Sequence, residues 1–118
     1  MKLSTAIRKG AKMTTPFRGV MFKTDSTTHD ISACALGAAL IGVKGKGILG
    51  KKSPRPGTWS ELLRGIFPEL TEQPPGAWYA TADHQAMGWP LFREIVYLND
   101  LVRLTREEIA DRLEAIGL

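Results

Sequence analysis

The segment Ile31–Val43 constrains this chain most. Its thirteen residues, ISACALGAALIGV, are apolar except for Ser32. A membrane-spanning helix needs roughly 20 apolar residues, so this length predicts a buried core helix, apolar almost all round. Ala33, Ala35, Gly37, Ala38 and Ala39 are small, which lets neighbouring backbones approach closely. Gly37 costs a helix about 1 kcal/mol relative to Ala, so a close neighbour is expected to require it. Asp30 or Thr28 is the expected cap, which places Cys34 about one turn inside the helix.

The surrounding chain suits one such core. Its 118 residues are 43% hydrophobic and 24% charged, the composition of an ordinary globular domain. A chain of this length buries roughly two-thirds of its unfolded surface without a metal or staple. One cysteine excludes a disulfide scaffold. No apolar run follows Lys2, so no signal peptide is read, and a reducing, cytoplasmic setting is expected.

Helical periodicity recurs on both sides of this segment. Leu3 to Lys12 sets Leu3, Ala6 and Ile7 against Lys2, Arg8, Lys9 and Lys12, with Pro16 as the stop. Thr58-Trp59-Ser60-Glu61 and Thr105-Arg106-Glu107-Glu108 are capping-box patterns. The first opens a helix through Phe67. The second opens one with Ile109, Leu113 and Ile116 inside and a Glu108–Arg112 pair outside. Pro90 begins another, with Leu91, Ile95, Leu98 and Val102 at helical spacing. Residues 69–88 read as mostly irregular, pinned by Trp78 and Tyr79. The expected fold is mainly α: a compact single domain, 1–118, of about five helices around the central one. One short β element is expected at Phe17–Lys23, and a mobile basic loop at about 43–57.

Charge divides along the chain. Residues 1–60 carry +9 and residues 61–118 carry −5, and all eight lysines lie at or before Lys52. The halves can attract each other within one fold, pair two copies as a homodimer, or present a basic surface to phosphate.

Three strings carry a resemblance: Cys34-Ala-Leu-Gly-Ala-Ala39, Leu98-Asn99-Asp100 and the run TREEIADRLE at 105–114. Together they resemble small bacterial and phage-associated proteins of unknown function, with a CALGAA-type helix and an LND…TREEIADWLE-type C-terminus. Those proteins often carry Trp where this chain has Arg112. The resemblance covers the second helix and the last 25 residues or so. It implies a compact helical domain and carries over no functional residue.

Several constellations could carry function. Cys34, with His29 or His84 as base and Asn99 or Asp100 as orienting group, has the residue types of a thiol nucleophile. A lone cysteine in an apolar helix more simply packs as a small hydrophobe. His84 beside Asp83 reads as a surface histidine. No metal site is expected, because one Cys and two His form no local ligand pair, and no cofactor is called for. Residues 45–52, GKGILGKK, nearly spell a phosphate-binding loop. Lys52 stands where Ser or Thr is needed, a helix precedes and Pro54 follows, so nucleotide hydrolysis is rejected. Residues 104–118 resemble the first helix and turn of a helix-turn-helix, but the reading helix is missing and this face is acidic.

Two binding surfaces remain. Trp59, Trp78 and Trp89 are candidates for contact with a protein partner. Lys44, Lys46, Lys51, Lys52 and Arg55, with Lys2, Arg8, Lys9 and Lys12, are candidates for nucleic-acid phosphates. The sequence reading is a non-enzymatic accessory or regulatory protein that binds another protein. Nonspecific nucleic-acid binding is the alternative, and a Cys34 thiol hydrolase the third reading.

Overall fold

The computed structural model describes residues 1–50 and 58–118. The expected mainly α, single-domain fold is observed, with helices α1 (Leu3–Ala11), α2 (Ala35–Lys44), α3 (Thr58–Ile66), α4 (Ala82–Ala86), α5 (Leu91–Tyr97) and α6 (Arg106–Glu114). A small sheet adds β1 (Thr15–Pro16), β2 (Phe22–Thr24) and β3 (Ile31–Ala33) in the order β1-β3-β2. The central strand β3 runs parallel to β1 and antiparallel to β2. Lys51, Lys52 and Arg55 lie outside the described residues.

The central segment does not form a helix along its whole length. Ile31–Ala33 is strand, and the helix starts only at Ala35. A hairpin explains the shift. Asp25 Oδ1 accepts the Thr27 and Thr28 N–H groups at 2.7 and 2.9 Å, and the Asp25 N–H donates to Asp30 O at 2.9 Å. His29 adopts the left-handed conformation with φ 62°. The polar run TDSTTHD thus turns the chain back between β2 and β3 rather than capping a helix. Cys34 is the cap residue: its Sγ accepts the Gly37 N–H at 3.4 Å. Neither Asp30 nor Thr28 caps α2, and Cys34 is at its end rather than a turn within.

The small residues serve the expected close packing. A Cβ on Gly10 would strike the Ala38 carbonyl, and one on Gly42 would strike the Ala6 carbonyl. Helices α1 and α2 therefore touch backbone to backbone and run antiparallel, since position 10 meets 38 and position 6 meets 42. Gly37 faces the Met21 carbonyl, where no side chain fits. Around this pair Leu3, Ile7, Leu36, Leu40, Leu63, Leu70, Leu91, Ile95, Leu98, Ile109 and Leu113 form the core.

Other local expectations shift. Within the segment read as a basic loop at about 43–57, Lys46–Gly50 forms a short 3-10 turn after α2, and residues 51–57 lie outside the described residues. The stretch read as irregular includes α4, capped by Thr81 through the His84 N–H. The Thr105–Glu108 capping box is formed on both sides. Glu108 is engaged there, so the expected Glu108–Arg112 pair is absent. Arg112 instead donates to Trp78 O at 2.8 Å and lies over the Trp78 ring at 4.7 Å.

After α5 the chain makes a π turn, Leu98–Val102, which ends at Arg103 in the left-handed conformation. Leu91, Ile95 and Leu98 are buried, whereas Val102 is exposed. The π turn adds one residue to the coil and rotates the chain beyond it. It brings Asn99 to the start of α2.

Candidate functional site

A cleft of about 190 Å³ opens where α2 begins. Gly19, Val20 and Met21 form one wall, Phe92, Ile95 and Val96 of α5 the other, and Cys34 to Leu36 the floor. Ser60, Asn99 and Asp100 complete the lining. Val20 is 54% exposed and Val96 37% exposed, so apolar surface continues to the rim.

Asn99 organises the polar side. Its Oδ1 accepts the Ala35 N–H at 3.1 Å, one of the donors that the first turn of α2 leaves open. Its Nδ2 donates to Phe17 O at 3.1 Å and to Asp100 Oδ1 at 2.8 Å. Asp100 Oδ1 also accepts the Gly19 N–H at 3.1 Å. The Cys34 N–H donates to Met21 O at 3.2 Å. The 17–21 wall is thereby tied to both α2 and the π turn.

The thiol is poorly placed to act as a nucleophile. Burial pushes the Cys34 pKa up, and the Asp100 charge adds to this. The Gly37 and Leu36 N–H groups pull it down, but by less. Attack by sulfur needs the thiolate and a base to form it. Asn99 and Asp100 do reach the cleft, but among its described residues there is no histidine. His84 lies elsewhere, in an enclosed cluster rather than on the surface beside Asp83. Its Nδ1 is 2.9 Å from Glu94 Oε2, and Glu94, fully buried, also accepts the Ala80 N–H at 2.7 Å. His84 stacks on Trp89 at 3.6 Å and meets Tyr97 edge-on at 4.4 Å.

The three tryptophans are spoken for to different degrees. Trp78 is buried beneath Arg112 and donates from Nε1 to Arg112 O at 3.2 Å. Trp89 is sandwiched between His84 and the Arg93 guanidinium, the latter 3.9 Å from the ring centre. Its Nε1 is enclosed without a partner. Trp59 is half-buried and edge-on to Phe22 at 5.7 Å. None of the three lines the cleft, although Ser60 follows Trp59 into it.

The charge division is partly closed within the fold. Arg8 bonds Glu107 at 2.9 Å, Asp111 at 2.6 Å and Glu114 at 2.8 Å, joining the basic half to the acidic helix. Its guanidinium is held above its ordinary pKa by those hydrogen bonds. Lys2, Lys9, Lys12, Lys44 and Lys46 are exposed and make no ion pair among the described residues. Because α1 and α2 are antiparallel, Lys2 shares an end of the pair with Lys44 and Lys46, while Lys9 and Lys12 sit at the other.

Two buried charges, Glu94 and Arg106, escaped the sequence reading. Each occupies a place on an apolar stripe: Glu94 with Leu91, Ile95 and Leu98, and Arg106 with Ile109, Ala110 and Leu113. Charge at such a spacing was the available signal.

Among the described residues no helix is long and apolar enough to cross a membrane, and no cluster of ligating side chains could hold a metal. No family model, curated protein or solved structure matches the chain.

Proposed function

We propose that this protein is a non-enzymatic accessory or regulatory module that binds a protein partner through the cleft at the start of α2. The observation that carries this reading is the cleft itself: apolar walls that continue to the exposed Val20 and Val96, over a polar floor of Cys34, Asn99 and Asp100. A concave apolar site with few convergent polar groups suits an inserted apolar side chain whose backbone is fixed by hydrogen bonds. A buried thiol with no histidine among the described residues of its cleft favours binding over hydrolysis.

The test is a photo-crosslinking residue at Val20, introduced into the full chain in cells. A discrete adduct is expected, and Val96→Asp should abolish it. An adduct that survives Val96→Asp, or no adduct at all, overturns the cleft as the binding surface.

Nucleic-acid binding is the second reading, favoured by Lys2, Lys44 and Lys46 converging on one end of the α1–α2 pair. Anisotropy of labelled DNA and RNA at ~50 and ~200 mM salt should then show affinity falling by orders of magnitude. It should collapse in a variant with both Lys44 and Lys46 replaced by Ala. Absence of binding at the lower salt removes this reading. A homodimer joined by opposite charges is the least supported partner, because Arg8 already neutralises part of the acidic helix internally.

A further inference from the structure

A second cavity, of about 180 Å³, lies on the far side of Asn99 and is lined by Pro16, Phe17, Arg18, Asn99, Leu104, Thr105 and Arg106. It contains two arginines and no acid. Arg106 is only 9% exposed, yet none of its hydrogen-bond partners is charged. Its Nη1 donates to Thr14 Oγ1 at 2.6 Å and to Ala33 O at 3.5 Å. Its Nη2 donates to Thr14 O at 3.0 Å and to Ala11 O at 3.3 Å.

A buried cation ordinarily has a carboxylate beside it. Here the nearest compensation is the C-terminal end of α1, where Ala11 lies. A helix end supplies only a partial charge, so the guanidinium has no full negative charge beside it among the described residues. Burial accordingly holds Arg106 below its ordinary pKa. The Nε–H makes no hydrogen bond among the described residues. The only enclosed side-chain nitrogen or oxygen without a partner among those residues is Trp89 Nε1. Arg106 Nε is not among the enclosed atoms, and Arg106 lines this cavity. Arg18 is exposed at the same opening and makes no ion pair among the described residues. On α6, Glu107 is bonded to Arg8, which leaves Glu108 as the other carboxylate of the first turn. It is turned to the Thr105 N–H at 3.1 Å by the capping box, and it does not line the cavity.

We infer that this cavity is a binding site for a phosphate-class oxyanion, held by Arg106 from within and by Arg18 from the rim. The inference is independent of the cleft reading, since the two cavities share only Asn99. An oxyanion here supplies the missing negative charge and accepts the unused N–H, and arginine is the side chain best shaped to hold one.

The test uses the full chain and inorganic phosphate, at ionic strength held constant with chloride. A saturable rise in melting temperature is expected, with amide shifts confined to residues 17–18 and 104–106. Loss of one charge-assisted hydrogen bond should weaken binding by about tenfold or more in Arg18→Ala, an exposed change that leaves the fold intact. Arg106→Lys keeps the charge but loses the Nε–H, and should weaken binding further. Arg64→Ala, an exposed charge on α3 that does not line the cavity, should change nothing. A response no larger than that of matched chloride, or one retained in Arg18→Ala, overturns the site. Acetate acting as well as phosphate overturns the phosphate assignment in favour of a carboxylate.

Discussion

The Asn99 side chain caps helix α2 from 64 residues away, its Oδ1 accepting the Ala35 N–H at 3.1 Å. Cys34, the residue in the cap position, takes the Gly37 N–H, so two donors of the first turn are satisfied by two different parts of the chain. Removing Asn99 leaves a buried donor without a partner. Asn99→Ala is expected to lower stability by about 1–3 kcal/mol, the usual cost of such a group, read from the midpoint of urea unfolding. Asn99→Asp keeps the acceptor but sets a second carboxylate against Asp100. It should be destabilised at neutral pH and recover part of that loss in acid.

Glycines in this chain predict opposite outcomes for the same substitution. Gly10→Ala and Gly42→Ala drive a methyl into a facing carbonyl between α1 and α2. Each should cost about 3 kcal/mol or more, the upper range for overpacking, because backbone cannot step aside. Gly65 in α3 is exposed with open space around it. Gly65→Ala should stabilise by up to ~1 kcal/mol. Thermal unfolding of the three variants gives the order directly.

Cys34 should be slow to alkylate. At neutral pH, iodoacetamide is expected to modify it more slowly than a small free thiol, with the rate rising only above the ordinary thiol range. The sign for stability follows from the raised pKa. Folding holds the proton more tightly than the unfolded chain does. This contribution is complete below the ordinary thiol pKa and is lost as pH rises from there through the raised value. Cys34→Ala should remove that alkaline loss while sacrificing the Gly37 contact.

The Arg8 cluster predicts a salt effect. Its three carboxylate partners are exposed, so added salt screens them. Arg8→Ala should lower the melting temperature at low ionic strength, and the gap to the native chain should narrow as salt increases. A gap independent of salt would assign the loss to packing of the Arg8 stem against α6 instead.

How legible these features are depends on their range. The amphipathic face of α1, the Thr105–Glu108 capping box and the apolar stripe of α6 are settled by neighbours within one or two turns, and periodicity finds them. Gly37 signals a close neighbour, though not that the neighbour is Met21. Ile31–Ala33 reads as helix from sequence because its residues suit strand or helix alike. The Asp25 turn and pairing with β1 and β2 decide between them. Cys34, Asn99 and Asp100 are recognisable as reactive or polar types, but which of them meet is not.

Sequence by itself determined a single mainly α domain, a small-residue core segment and most helix limits, because each follows from local spacing and caps. Tertiary structure alone decided that Cys34 ends a helix in a cleft with no histidine among its described residues, and that His84 belongs to Glu94 and Trp89. It also decided that Arg106 stays buried with no acid bonded to it among the described residues. Each is a meeting of distant residues, and the periodicity of one segment holds no record of the partner that another segment brings.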